Sequence, residues 1–281
     1  MGRVIFLGTG DPLNAERAQS SLAVRLPGGE TILFDASSGT ILLGQLRDAD
    51  IPIEEVRHLF VSHRHFDHAG GLAPLLISMA TLPAASLTIY ALPGTLKALR
   101  ELPALTIPGV EDWLGDRLNW RELAPGKPIL LENTEMTPFL VDHSVECVGY
   151  RIAQNGSVLV FSADTRPCRA VVEHAQGADL LIHEAYGTKD ESGWAHTVGH
   201  SSASDAGEVA RAAGVDRLVL THLRESRFAD PGELAAEAGA AEGGSDLKAK
   251  VTGALARVAL RGTASSSFKN FCRCSSVTWL R

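Results

Sequence analysis

A chain of 281 residues, 45% hydrophobic and 21% charged, is long enough to bury a large core in one folded unit. Its net charge of −7 gives no phosphate-tracking surface visible in sequence, no apolar run approaches the span of a bilayer, and the N-terminal apolar stretch is broken too soon by Gly8 and Gly10 for a secretory leader. The expected compartment is the cytoplasm, where Cys147, Cys168, Cys272 and Cys274, which fall in no zinc-knuckle spacing, read as reduced and incidental.

Strands are predicted over 2–7, 21–26, 31–34 and 57–61 from short apolar runs bounded by turn residues. Directly after the fourth run comes His63-Arg-His65-Phe-Asp67-His68, which places three of the ten histidines of the chain and one aspartate in a six-residue window. Alternate residues point the same way in extended backbone, so His63 and His65 can share one ion, while Asp67 and His68 lie beyond them on the turn and can face a second. Imidazole and carboxylate without thiolate suit zinc, iron or manganese. A helix over 72–80 and a strand over 87–92 follow, and loops over 93–128, with Trp113 and Trp120, are expected to shape a pocket wall.

A metal site needs ligands from elsewhere in the chain, and later apolar runs end in suitable residues. The segment 137–143 ends in His143, the run 157–162 leads to Asp164, and 217–222 ends in His222. A hairpin turn is predicted at Asn155-Gly156, between strands over 146–153 and 158–162. Glu184 closes the run 179–184, and His200 precedes a Ser-rich N-cap cluster for a helix over 206–213.

The order of these strand ends resembles that of the metallo-β-lactamase superfamily, within it the ribonuclease Z branch with its arylsulfatase and small phosphodiesterase relatives. The resemblance rests on Phe6-Leu-Gly-Thr-Gly10, Leu33-Phe-Asp35, His63-Arg-His-Phe-Asp-His68, Asp142-His143-Ser, Ser162-Ala-Asp-Thr165, Leu181-Ile-His-Glu184-Ala, Gly199-His200-Ser-Ser-Ala and Leu220-Thr-His222. It implies an α/β fold of the αββα kind, two facing mixed sheets with helices outside. By the same resemblance His63, His65 and His143 hold one Zn2+, Asp67, His68 and His222 the other, and Asp164 bridges them, with Mn2+ or Fe2+ as substitutes. Asp67 orients the nucleophile, and His200 backed by Glu184 protonates the departing oxygen.

Two departures shape the expected substrate. Ribonuclease Z proper carries a long RNA-gripping arm between the positions of His143 and Asp164, where this chain has only a short hairpin. The expectation is therefore a small anionic ester, most simply a small or nucleotide-like phosphodiester, with nucleic acid not favoured. A sulfate or phosphonate ester, and 3′ processing of transfer RNA, stand as alternatives. Arg17, Arg166 and Arg224 lie near strand-end loops within reach of a substrate anion, though each also reads as an ordinary surface arginine. The second departure is the basic, Ser- and Ala-rich segment 243–281, which reads as a nucleic-acid-binding tail or, at least as well, as a disordered extension to a catalytic domain over 1–242. No membrane partner is expected, and the expected assembly is a homodimer.

Overall fold

The computed structural model describes residues 3–14, 17–224, 231–241 and 275–278. In chain order the elements are β1 (Arg3–Gly8), β2 (Ser21–Arg25), β3 (Thr31–Phe34), α1 (Ile41–Asp48), β4 (Val56–Phe60), α2 (Phe66–Ala69), α3 (Leu72–Ala80), β5 (Leu87–Ala91), α4 (Pro93–Thr106), α5 (Val110–Leu114) and β6 (Leu118–Glu122). The second half contributes β7 (Ile129–Leu131), β8 (Thr134–Leu140), β9 (Val148–Gln154), β10 (Ser157–Phe161), α6 (Arg169–His174), β11 (Leu180–Glu184), α7 (Ser192–Val198), α8 (Ala203–Ala213), β12 (Leu218–Thr221), α9 (Pro231–Ala241) and β13 (Ser275–Thr278).

The strands form two sheets, ordered β13-β1-β2-β3-β4-β5-β6 and β12-β11-β10-β9-β8-β7. Their inner faces meet in one apolar layer: Val4, Phe6, Phe34 and Phe60 from the first sheet pack with Tyr150, Ile152, Phe161 and Ile182 from the second. Intervening residues point outward and are covered by helices. Ile5, Leu7, Leu33 and Leu59 lie under α1, α3 and α4, and Val160, Leu181 and Leu220 lie under α6, α8 and α9. Burial on both faces explains why these strands read as unbroken apolar runs rather than alternating ones. The result is the expected αββα sandwich.

Strands β3, β4 and β5 run parallel, as do β10, β11 and β12, so their C-terminal ends gather at a shared edge of the sandwich. Loops leaving those ends carry the polar residues noted above. The hairpin between β9 and β10 turns at Asn155 and Gly156, both with positive φ (50° and 80°), as a two-residue hairpin turn requires.

Several expectations are corrected. The segment 93–128 is not a set of pocket loops: it contains α4, α5 and β6, and Trp120 packs on the outer core with Arg100 stacked 5.6 Å from its ring centre. Within the segment expected to be an extension, β13 pairs antiparallel with β1, Arg3 opposite Thr278. The boundary at 242, Cys272, Cys274 and the basic residues from Lys248 to Arg273 lie outside the described residues, as does Arg281. Among the described residues no helix is long and apolar enough to cross a membrane.

Candidate metal centre

Two main clusters form at the shared edge. His63, His65 and His143 offer one, and Asp67, His68, Asp164 and His222 the other, the ligand atoms in each lying within 4.8 Å of one another. A third grouping, His143, Asp164 and His200, overlaps both. In the first, His63 Nε2 is 2.9 Å and His143 Nε2 3.2 Å from His65 Nδ1. Tetrahedral ligation with zinc–nitrogen distances of about 2.0–2.1 Å spaces nitrogens by about 3.3 Å, so the convergence fits a cation. Asp164 lies between the clusters, its Oδ2 3.7 Å from His63, 3.1 Å from His68 and 3.4 Å from His222.

Four of the five imidazoles are aimed by a partner on the other nitrogen. His68 Nδ1 lies 2.8 Å from Asp35 Oδ2, His222 Nδ1 3.0 Å from Ser20 Oγ, His63 Nδ1 2.9 Å from Ser62 Oγ, and His143 Nδ1 2.8 Å from the Gly199 carbonyl. Such contacts orient the ring and set which nitrogen faces the ion. Backbone form contributes too. Asp35, Ala163 and His222 adopt the left-handed region at φ 62°, 53° and 54°, turning the chain sharply where β3, β10 and β12 end. Gly199, at φ 96°, closes α7 and also brings its carbonyl against His143.

The electrostatics ask for positive charge. Burial would raise Asp164, but His222, His68 and His63 outweigh it and hold the carboxyl well below its usual range. Burial would lower His68, yet Asp164, Asp67 and Asp35 together pull it well above the usual imidazole value. Three buried carboxylates thus converge on one imidazole, an arrangement that divalent cations would neutralise. The Nε2 atoms of His68 and His222 are buried and face the Asp164 carboxylate at 3.1 and 3.4 Å without well-aligned hydrogen bonds. Burial depresses His63 well below its usual range and takes His222 down to about 4, keeping both neutral as ligation demands. The donor set fits the group. Cys147 is no ligand here: its sulfur sits 3.6 Å from Nδ1 of His63, the nitrogen turned away from the cluster, and burial pushes its thiol well up.

Beside the clusters, His200 Nδ1 is 2.9 Å from Glu184 Oε1, and backbone N–H groups of Thr165 and Ser201 donate to the same carboxylate at 2.6 and 3.1 Å. Burial would lower His200, but the Glu184 charge and hydrogen bond outweigh it and lift the imidazole to about 9. Burial raises Glu184 to about 7 against the opposing pull of His200. The pair is tightly coupled, and the direction that follows from the contact is a proton held on the imidazole.

All of the expected site residues therefore meet at one edge. The three arginines do not behave alike: Arg17 is fully buried rather than on the surface, Arg166 pairs with Asp142 at 2.9 Å, and Arg224 stacks 4.2 Å over the Trp194 ring. Sequence reasoning missed Asp11, a buried carboxylate lifted to about 6 by burial, with Oδ2 lacking a hydrogen-bond partner among the described residues. It also gave no role to Asp35, although a polar residue closing an apolar run was the same signal that found Asp164.

Residues 30–223 match the family described as the beta-lactamase superfamily domain. Ribonuclease Z of Methanothermobacter thermautotrophicus is 32% identical, with 79% of this chain and 87% of that protein covered. Ribonuclease Z of Methanosarcina mazei is 29% identical over 82% of this chain and 90% of its own. Among solved structures, the metallo-beta-lactamase fold protein YhfI from Bacillus subtilis superposes with a TM-score of 0.75 at 24% identity, covering 86% of this chain and 93% of that one. Human tRNase Z, short form, does so with a TM-score of 0.68 at 23% identity, covering 79% and 93%. These relatives overturn the expectation of a small anionic ester in place of nucleic acid, since proteins aligned over most of the chain are named as ribonucleases. The short β9–β10 hairpin is as expected. The missing arm weighs against RNA without excluding it, and the expectation gave it too much weight, because relatives aligned over most of the chain are named as ribonucleases. The chain belongs to the beta-lactamase superfamily, in its ribonuclease Z branch.

Proposed function

We propose that the protein is a metal-dependent endoribonuclease that hydrolyses a phosphodiester at the 3′ side of precursor transfer RNA. The observation that carries this reading is the Glu184–His200 pair beside the two His/Asp clusters, since a poor ribose leaving group needs a proton donor and an activated ester does not. His63, His65 and His143 would hold one divalent cation and Asp67, His68 and His222 the other, with Asp164 shared; zinc suits these donors best, and manganese or iron can replace it. When bound, such ions supply Lewis acidity and bring the pKa of water near neutrality. Asp67 aligns the attacking water from the rim of the second cluster. Glu184, fixed by two backbone N–H groups, holds Nδ1 of His200 and leaves Nε2 to deliver a proton to the departing ribose oxygen.

The test is incubation of zinc-loaded protein with precursor transfer RNA carrying a 3′ trailer, with both product ends mapped. A single internal cut leaving a 3′-hydroxyl on the transfer RNA portion is expected. Failure to cut RNA by protein that still turns over bis(p-nitrophenyl) phosphate would overturn the reading.

A further inference from the structure

Arg224 follows the candidate ligand His222 by two residues, where the loop leaves β12. Its guanidinium lies 4.2 Å from the Trp194 ring centre and 5.5 Å from that of Tyr186. The Trp194 and Tyr186 rings stack at 5.3 Å and 15°, and Tyr186 in turn stacks on His200 at 4.3 Å and 21°. One continuous stack thus runs from the proton-donating imidazole to a tryptophan that is 42% exposed.

The geometry of that stack has a chemical meaning. A guanidinium held over an aromatic ring keeps edge N–H donors that the ring does not use, and a phosphate is bound from that edge. Arg224 is half-buried: its Nε is buried without a hydrogen-bond partner among the described residues, so a phosphate would meet the outer edge of the guanidinium. The indole has Arg224 and Tyr186 against it yet stays 42% exposed, and an exposed aromatic side chain next to a cation is how single-stranded nucleic acid is held without a sequence code. In a chain of net charge −7 with only a short hairpin between His143 and Asp164, a local grip next to the reacting phosphate takes on more of the binding.

We infer that Trp194 and Arg224 form the subsite for the nucleotide flanking the scissile bond, the indole stacking on its base and the guanidinium edge binding its phosphate. This rests on the ribonuclease reading and adds the residues that position the RNA. In this assignment both side chains hold the flanking nucleotide and act on binding.

The test measures kcat and KM on precursor transfer RNA for wild type, Trp194→Ala, Trp194→Phe, Arg224→Ala and Arg224→Lys, with abasic nucleotides placed one at a time on either side of the cut. Trp194→Ala is expected to raise KM about 10-fold with kcat nearly unchanged, and Trp194→Phe to retain most of the affinity. Arg224→Ala should raise KM and reduce the salt dependence of binding by about one ion. At one position the abasic substitution should cost wild type as much as Trp194→Ala does, and cost the variant nothing further. Unchanged KM in Trp194→Ala, equal losses in Trp194→Ala and Trp194→Phe, or additive losses at every abasic position would each overturn the subsite. Anisotropy titrations with product RNA separate the two claims. Binding that depends on Trp194 without any cleavage keeps the subsite and removes the activity; cleavage with a Trp194-independent KM does the reverse; no RNA binding removes both.

Discussion

Asp35 makes no contact with a candidate ion, yet it organises the loop that holds four of the ligands. Its carboxylate accepts from Ser62 N at 2.7 Å and Ser62 Oγ at 2.9 Å, and lies 2.8 Å from His68 Nδ1. Replacing it with asparagine keeps the volume and removes the charge that favours ligation by His68. Zinc affinity of Asp35→Asn, measured by competition with a chromophoric chelator, is expected to fall about 10- to 100-fold. An unchanged affinity would show that Asp35 only fills space. At the same scale, His200 is lifted above its ordinary value to about 9, so it remains protonated through neutrality. A general acid is lost as pH rises through its pKa, so kcat on RNA should be flat near neutrality and decline on the alkaline side. Cations in the adjacent clusters repel that proton, which places the midpoint at or below the raised value. His200→Ala should abolish this limb and slow RNA cleavage about 10²- to 10⁴-fold, and an alkaline limb that survives the substitution would assign it elsewhere. The candidate ligands His143, Asp164 and His222 could be picked out in the sequence because each closes or follows an apolar run with a residue that burial would otherwise forbid. Asp11 was not, since an aspartate after Gly-Thr-Gly has the composition of an ordinary turn.

Among the elements, α8 shows how local sequence and packing divide the work. Ser202 caps it through a capping box, its Oγ accepting from Asp205 N at 3.1 Å while Asp205 Oδ2 accepts from Ser202 N at 2.8 Å. Gly207 lets α9 approach so closely that an added Cβ would lie 2.2 Å from the Ala238 carbonyl oxygen. Urea denaturation should therefore show Ser202→Ala losing about 1 kcal/mol. Gly207→Ala should also destabilise, although alanine in an open helix position gains about 0.8–1 kcal/mol over glycine. A stabilised Gly207→Ala would mean that α8 and α9 do not meet as described. Elements that sequence missed share a physical reason. In α4, which starts with Pro93 in its first turn, Pro103 interrupts the helical signal. Strand β6 is largely exposed along its length, and β13 has the sequence Ser-Ser-Val-Thr, so its strand character comes from pairing with β1 rather than from its own pattern.

For the whole molecule, the distribution of ligands between the sheets matters more than their number. His63, His65, Asp67 and His68 follow β4 of the first sheet, whereas His143, Asp164 and His222 follow β8, β10 and β12 of the second. Each cluster draws on both sheets, so a cation in either one clamps the sandwich along the edge where the loops emerge. Without cations, Asp35, Asp67 and Asp164 share the imidazole of His68 as a common counter-charge, and the edge is expected to be less stable than with cations bound. A ligand present at 1,000 times its dissociation constant stabilises the folded state by about 4 kcal/mol. At about 2–4 °C per kcal/mol for a chain of this size, full chelation is expected to lower Tm by about 10 °C, with recovery on adding zinc. Elemental analysis of the untreated protein should find about two ions per chain. His65→Ala and His143→Ala, which remove a ligand of the same cluster from opposite sheets, should each lose part of the zinc-dependent shift. A Tm that does not move between fully loaded and verified metal-free protein would sink the idea that the centre joins the sheets, whatever its part in cleavage.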